Sequence, residues 1–428
     1  MKIEKTAKNL LNTISKSTCS FTAVSNAINR LYQRGFDELS LNEKWTLEKE
    51  GKYFINIYDS GLFAFTIGES FEGMLKIAAA HTDHPCLYIK LNPEIAVKGY
   101  EKVNTEVYGG AILNTWLDRP LSVSGKVTMK SSNLYQPKKK IIDFERPLFT
   151  IPNLAIHLNR EINKGTELNK QTDMLPVCGM LDETINTNRF FIEYLAEESG
   201  VKTEDILDFE LYVYNAEEGC VFGLNNDFIS APRLDNTTSI EACLSGIINT
   251  QPVSGINFIA LFDNEEIGSR TKQGADSGLL SMVLEKIYLT LGMDRESYID
   301  KILNGFLLSL DVAHGFHPNR PEKSDPTNIN LLNHGIVIKR ASSQSYATDS
   351  ESIAIAEQIC KAADIPYQKY AVRSDGTTGS TLGTIANKYL PMRSVDIGVP
   401  VLAMHSAREM MGIWDQAYLE KFVCRFFL

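Results

Sequence analysis

Five residues of metal-binding type each stand just past the end of a different apolar run. His81 closes Met74–Ala80, and Asp235 follows Arg233-Leu234 and opens a helix-like stretch. Glu266 lies beyond Ile256–Phe262, Asp311 closes Phe306–Leu310, and His405 follows Val395–Met404. In an open parallel sheet the carboxyl ends of the strands converge on one crevice, where ligands bind. Two imidazoles and three carboxylates collected there suit a pair of divalent ions, and the chemistry such a pair performs is hydrolysis.

Each motif also has a plainer explanation. In His81-Thr82-Asp83, Asp83 or the local backbone can take the second imidazole N–H and fix the ring; without a metal this is a polar strand end. Asp235 can bridge two ions, yet aspartate is also a common helix N-cap and Thr237–Ile248 has a helical pattern. The adjacent Glu265 and Glu266 repel each other, and a nearby cation resolves the conflict. Glu266 then reads as a ligand and Glu265 as the general base toward a metal-bridging hydroxide; the alternative is an acidic first turn favoured by a helix dipole. Asp311-Val-Ala-His314-Gly-Phe-His317-Pro318 adds a ligand candidate, Asp311, and a donor for a developing oxyanion, His314. His317, before proline, reads as structural. His405 completes the second ion's ligands.

A hydrolytic site must also hold its substrate, charged groups included. The net charge of −10 disfavours acidic substrates, so a pocket for Asp or Glu needs a local cation. Lys339 and Arg373 are candidates, with Tyr346 on the same wall; the alternative is ordinary solvated basic residues and a neutral or broad specificity. A reading from another class is a catalytically silent oligomer that binds peptides or stores metal. The spare Glu265 beside a ligand argues against silence.

The elements that must position these groups fall into two sets. At 428 residues the chain exceeds one simple core. Strand–helix alternation before residue 90 and after 228 implies an α/β fold: a mixed, largely parallel sheet flanked by helices. Residues 91–228 read as an inserted β-rich domain of short strands and turns. The seven cysteines are scattered, with no Cys-x-x-Cys pair, which argues against a disulfide framework or thiolate zinc site. The negative charge argues against nucleic acid or anionic membrane as partner. No apolar run reaches the roughly 18–20 residues of a membrane span, and no signal-type segment follows the N-terminus, so a cytoplasmic location is expected. Lys138, Lys139 and Lys140, the one basic run, read as a solvated loop.

As a set, His81-Thr-Asp-x-Pro85, Arg233-Leu-Asp235-Asn, Asp263-Asn-Glu265-Glu266-x-Gly-Ser269, Asp311-x-Ala-His-x-x-His-Pro-Asn319 and Ala403-Met-His405-Ser resemble the aspartyl aminopeptidase family of dizinc exopeptidases. Leu10-Leu-Asn-Thr13 and Ala155-Ile-His157-Leu-Asn-Arg160 extend the resemblance over nearly the whole chain. It implies a zinc-exopeptidase-like fold whose insertion dimerises. It implies one zinc held by His81, Asp235 and Asp311, and a second held by Asp235, Glu266 and His405, with Glu265 as base. Cobalt or manganese also suits such donors. It further implies a dodecamer built from dimers, in which His157 serves a neighbour's active site as a substrate-binding residue or a ligand. The chain departs from the family at His84, at Ser20-Phe21-Thr22, and at Arg373-Ser-Asp-Gly-Thr-Thr-Gly379, a substrate-side loop whose change, Gly379 included, leaves the side-chain preference open.

Overall fold

The computed structural model describes residues 2–180, 189–376 and 379–428. It divides into two compact units: Met1–Asp83 with Gly219–Met404 and Glu409–Leu428, and His84–Glu218 with His405–Arg408. The sequence boundaries stood at 90/91 and 228/229.

The first unit is built on a nine-stranded sheet. Its central strands, Ser254–Phe262, Ser70–His81, Phe306–Leu310 and Arg393–Gly398, lie side by side and parallel. Lys52–Ile57 and Gly61–Ile67 form the expected hairpin, and Gly61–Ile67 pairs antiparallel with Ser254–Phe262. Beyond Arg393–Gly398, Ile336–Arg340 runs antiparallel and Tyr367–Ala371 continues parallel to it. The alternation of side chains along a strand sends Leu75, Ile77 and Ala79 into one core and Ala78 and Ala80 into the other. Both faces are buried from Ile77 onward, which is why Met74–Ala80 is apolar at every position but Lys76.

Helices cover both faces. Lys2–Lys16, Ser20–Tyr32, Leu234–Asn249 and Asp415–Phe427 contribute to one core, and Leu279–Thr290, Arg295–Leu303 and Leu382–Ala386 to the other. Asp415–Phe427 shows the cause: Leu419, Phe422, Val423 and Phe426, spaced three and four apart, are all buried. The Arg295–Leu303 helix, not anticipated from sequence, starts at Asp294, whose carboxylate accepts the Ser297 N–H at 2.8 Å.

One expected strand breaks in two. Val395–Met404 is apolar apart from Asp396, but Arg393–Gly398 belongs to the large sheet, and Pro400–Leu402 joins a separate five-stranded sheet with Ala313–His314 and Glu409–Gly412. Gly398 marks the crossing: a Cβ there would sit 1.7 Å from the Asp311 carbonyl oxygen. His405 therefore follows a short strand of the smaller sheet, at a left-handed backbone position (φ 66°).

In the second unit six strands pair antiparallel, in the order Lys138–Asp143, Leu121–Met129, Ile206–Asn215, Cys86–Val97, Tyr100–Tyr108, Val177–Met180. Lys138, Lys139 and Lys140 are exposed, but they lie on an edge strand rather than in a loop. Lysines on an edge strand discourage pairing with other chains. All seven cysteines are free thiols. Among the described residues no helix is long and apolar enough to cross a membrane.

Candidate active site

Sheet register brings the first groups together. Phe262 pairs with His81 across two parallel strands, and the Thr82 N–H donates to the Phe262 carbonyl at 2.7 Å. The chain leaving Ser254–Phe262 thus starts beside the chain leaving Ser70–His81. One strand further, Asp311 follows Leu310, and its N–H donates to the Ile397 carbonyl at 3.1 Å.

His81 is buried at this end. Its Nδ1 lies 3.0 Å from the carbonyl oxygen of Asp83, which can only accept, so the hydrogen sits on Nδ1. Nε2 faces Asp235 Oδ1 at 3.3 Å and Asp311 Oδ1 at 3.6 Å. Burial opposes a charged ring, but Asp235, Asp311 and Asp83 outweigh it and hold the His81 pKa well above its ordinary value.

Asp83 ties the two loops together. Its Oδ1 accepts the Glu265 N–H at 3.0 Å and its Oδ2 the Glu266 N–H at 3.1 Å. The turn that presents the two glutamates depends on Asn264 in the left-handed region (φ 62°), a conformation asparagine tolerates. The Asn264 side-chain oxygen accepts from Thr271 Oγ1 at 2.7 Å, and its carbonyl accepts the Ser269 N–H at 2.7 Å. Burial first, then Asp311, Asp83 and Asp235, push Glu265 up to about 8, against the opposing pull of His81.

Asp235 enters at the start of Leu234–Asn249, where Asp235 and Asn236 depart from helical geometry. Its N–H donates to Glu409 Oε2 at 3.0 Å, and Asn236 Nδ2 donates to the Leu310 carbonyl at 3.0 Å. His81, Asp235 and Glu266 each place a ligand atom within 4.8 Å of the others. An imidazole nitrogen and carboxylate oxygens at that spacing are a donor set that suits zinc. A dication would also reverse the local field that raises Glu265.

Lys339 is buried; its ammonium donates to the carbonyls of Asp311 and Val312, both at 3.1 Å, and lies 3.6 Å from Asp311 Oδ2. The buried Tyr346 ring is 5.2 Å from that ammonium. His314 and Arg373 line a pocket of about 550 Å³, with Glu322, Lys323, Asp325 and Asp375 among its walls. There Asp375 grips the Arg373 guanidinium through both oxygens, at 2.5 and 3.1 Å. Gly379 is exposed, and the adjoining residues 377–378 lie outside the described residues.

In the second unit, His405 Nδ1 is 3.2 Å from the Gly110 carbonyl oxygen, and Ile112 N–H donates to the His405 carbonyl at 3.0 Å. His157 is exposed in a turn between exposed Leu154, Ile156 and Leu158.

Sequence reasoning missed two buried acids. Glu409 anchors the Asp235 backbone, and Asp396 accepts from Ala347 N–H at 2.6 Å and Thr381 Oγ1 at 2.5 Å. Asp396 interrupts an apolar strand, a readable signal; Glu409, beside two methionines, carries little.

A model of the aminopeptidase I zinc metalloprotease family, M18, matches residues 13–427. The chain belongs to the M18 family. A probable M18 family aminopeptidase 2 of Clostridium acetobutylicum is 45% identical over 418 residues, covering 97% of this chain and 96% of that protein. Among solved structures, a chain of the Ape4 and Nbr1 complex superposes with a TM-score of 0.95 at 32% identity, over 100% of this chain and 86% of that one. The S. cerevisiae mApe1 dodecamer shares the fold, with a TM-score of 0.84 at 24% identity, over 100% and 97%. The M18 chain described here is therefore a zinc metalloaminopeptidase, with the α/β architecture expected from its motifs.

Proposed function

We propose that this M18 aminopeptidase removes residues from peptides with a free N-terminus at a site holding two zinc ions. As the resemblance implies, one would be held by His81, Asp235 and Asp311, the other by Asp235, Glu266 and His405. The observation that carries the reading is the convergence of His81, Asp235 and Glu266 within 4.8 Å, with Glu265 close enough to feel the charges of His81 and Asp235. When bound, zinc polarises the scissile carbonyl and lowers the pKa of water from 15.7 to about 7.

The protein's own residues do the rest. Glu265 takes a proton from the attacking water at its carboxylate and returns it to the leaving amine. Asp83 holds Glu265 and Glu266 in place through their backbone N–H groups and fixes the His81 tautomer through its carbonyl. His314 donates to the oxyanion. The resemblance also supports a dodecamer in which the inserted unit dimerises and His157 reaches a neighbouring site; the exposed Leu154, Ile156 and Leu158 around it suit burial in such a contact. The cytoplasm is the proposed compartment.

A neutral or broad side-chain preference is favoured over an acidic one. Of the two candidate cations, Lys339 is engaged by Asp311 and Arg373 by Asp375. Glu322, Asp325 and Asp375 outnumber Lys323 and Arg373 around the Arg373 pocket. Elemental analysis of bound metal, with hydrolysis of Asp-, Glu- and Leu-headed peptides with and without chelator, tests both statements. Chelator-resistant hydrolysis sinks the metal mechanism, and a strong Asp preference sinks the neutral one.

A further inference from the structure

Lys339 is a buried ammonium with an unusual set of neighbours. It lies on Ile336–Arg340, directly across the sheet from Asp396, and only 1% of it is exposed. Its Nζ donates to the Asp311 and Val312 carbonyls and stands 3.6 Å from Asp311 Oδ2. The other oxygen of that carboxylate, Oδ1, faces His81 Nε2 at 3.6 Å. One carboxylate is thus divided between a permanent cation and the metal-facing imidazole.

We propose that Lys339 acts through Asp311 as a positioning residue: it draws one carboxylate oxygen to itself, leaves the other for zinc, and keeps the ion on Asp311 loosely held and exchangeable. The inference rests on the assignment of Asp311 as a ligand. The Asp311 backbone is also fixed by its own N–H bond to the Ile397 carbonyl and by the strand before it, so beside its two carbonyl contacts the ammonium contributes charge next to the carboxylate. A cation sharing a carboxylate with a dication repels it, strongly so where solvent is excluded. Asp396 sets the size of the effect. Fixed by Ala347 and Thr381 and paired in register with Lys339, it partly neutralises the ammonium.

Two substitutions around the same ammonium should therefore shift zinc affinity in opposite directions. Lys339→Met keeps the stem and removes the charge; Asp396→Asn keeps Lys339 and removes its compensation. Zinc is titrated against a chromophoric chelator on the full-length protein, after zinc stoichiometry of the wild type is measured. Lys339→Met should bind one of the two zinc equivalents about tenfold tighter, and Asp396→Asn about tenfold weaker, the scale typical of groups behind a ligand. A merely structural role would weaken binding in both. Tighter-then-weaker supports the proposal; unchanged or weaker binding in Lys339→Met overturns it. If Lys339→Met fails to fold, Lys339→Gln takes its place, and unchanged or weaker binding there overturns the proposal. A wild type that binds no zinc refutes the metal site itself and this inference with it, an outcome distinct from a zinc-loaded wild type whose variants do not shift.

Discussion

Replacing Glu265 by glutamine separates base chemistry from metal binding. The side chains match in volume, and the contacts that hold this turn are backbone ones: the Glu265 and Glu266 N–H groups on Asp83. Glu265→Gln should therefore leave the fold and zinc content intact. Removing a positioned base costs about 10²–10⁴ in rate. At 1.36 kcal/mol per tenfold, that is about 3–5 kcal/mol on the barrier. Steady-state hydrolysis of a Leu-headed peptide, beside elemental zinc, reads both quantities. A second readout uses the metal-free protein, where burial and then Asp311, Asp83 and Asp235 hold Glu265 at about 8, above its ordinary 4.5. A carboxyl raised on folding stabilises below its unfolded pKa, and that contribution is lost as pH rises through the folded value. Metal-free wild type should lose stability relative to Glu265→Gln between about pH 5 and 8. A variant with near-wild-type kcat refutes the base assignment; one that loses zinc along with activity makes Glu265 a ligand instead.

Asp83→Asn should weaken zinc binding about 10–100-fold and destabilise the fold by about 2–3 kcal/mol, because an amide cannot accept both N–H groups that the carboxylate holds; competition titration and thermal unfolding measure the two. Glu420→Gln addresses pH far from the metals: burial first, then Glu241, raise Glu420 to about 7, so wild type should lose stability relative to the variant as pH rises from about 5 to 7, and parallel denaturation curves across that range would contradict this. Arg373→Met should change kcat/KM for Asp-headed peptides by no more than about threefold, since Asp375 already neutralises the guanidinium; a loss of about tenfold or more specific to acidic substrates would restore the acidic-pocket reading.

The parts of the site legible in sequence are those that end apolar runs. His81 and Asp311 follow Met74–Ala80 and Phe306–Leu310, and parallel register alone sets such strand ends side by side. The adjacent Glu265 and Glu266 were legible as a charge conflict at a strand end. The carboxylates behind them were less so. Glu409 looks like an ordinary acid in sequence, and although Asp396 stands out in its apolar strand, the partners of both lie far away in the chain. Lys339 was legible as a pocket cation or a solvated lysine, but its surroundings were not, because antiparallel pairing puts it opposite Asp396 and against Asp311. The split of Val395–Met404 was equally hidden, because Val399 and Pro400 continue the apolar run while the chain changes sheet.

The cost of the site argues for catalysis over storage. A metal store needs ligands, and His81, Asp235 and Glu266 could supply them. Glu265 adds a further carboxylate among Asp83, Asp235 and Asp311, and its raised pKa means that ionising it there is unfavourable. Nothing about the fold requires that carboxylate, because the turn is held by the backbone N–H groups on Asp83 and by the left-handed Asn264. A neutral residue would make the metal-free protein more stable and leave the turn unchanged. A group that costs stability and sits within reach of the metal ligands is what proton transfer during peptide hydrolysis demands.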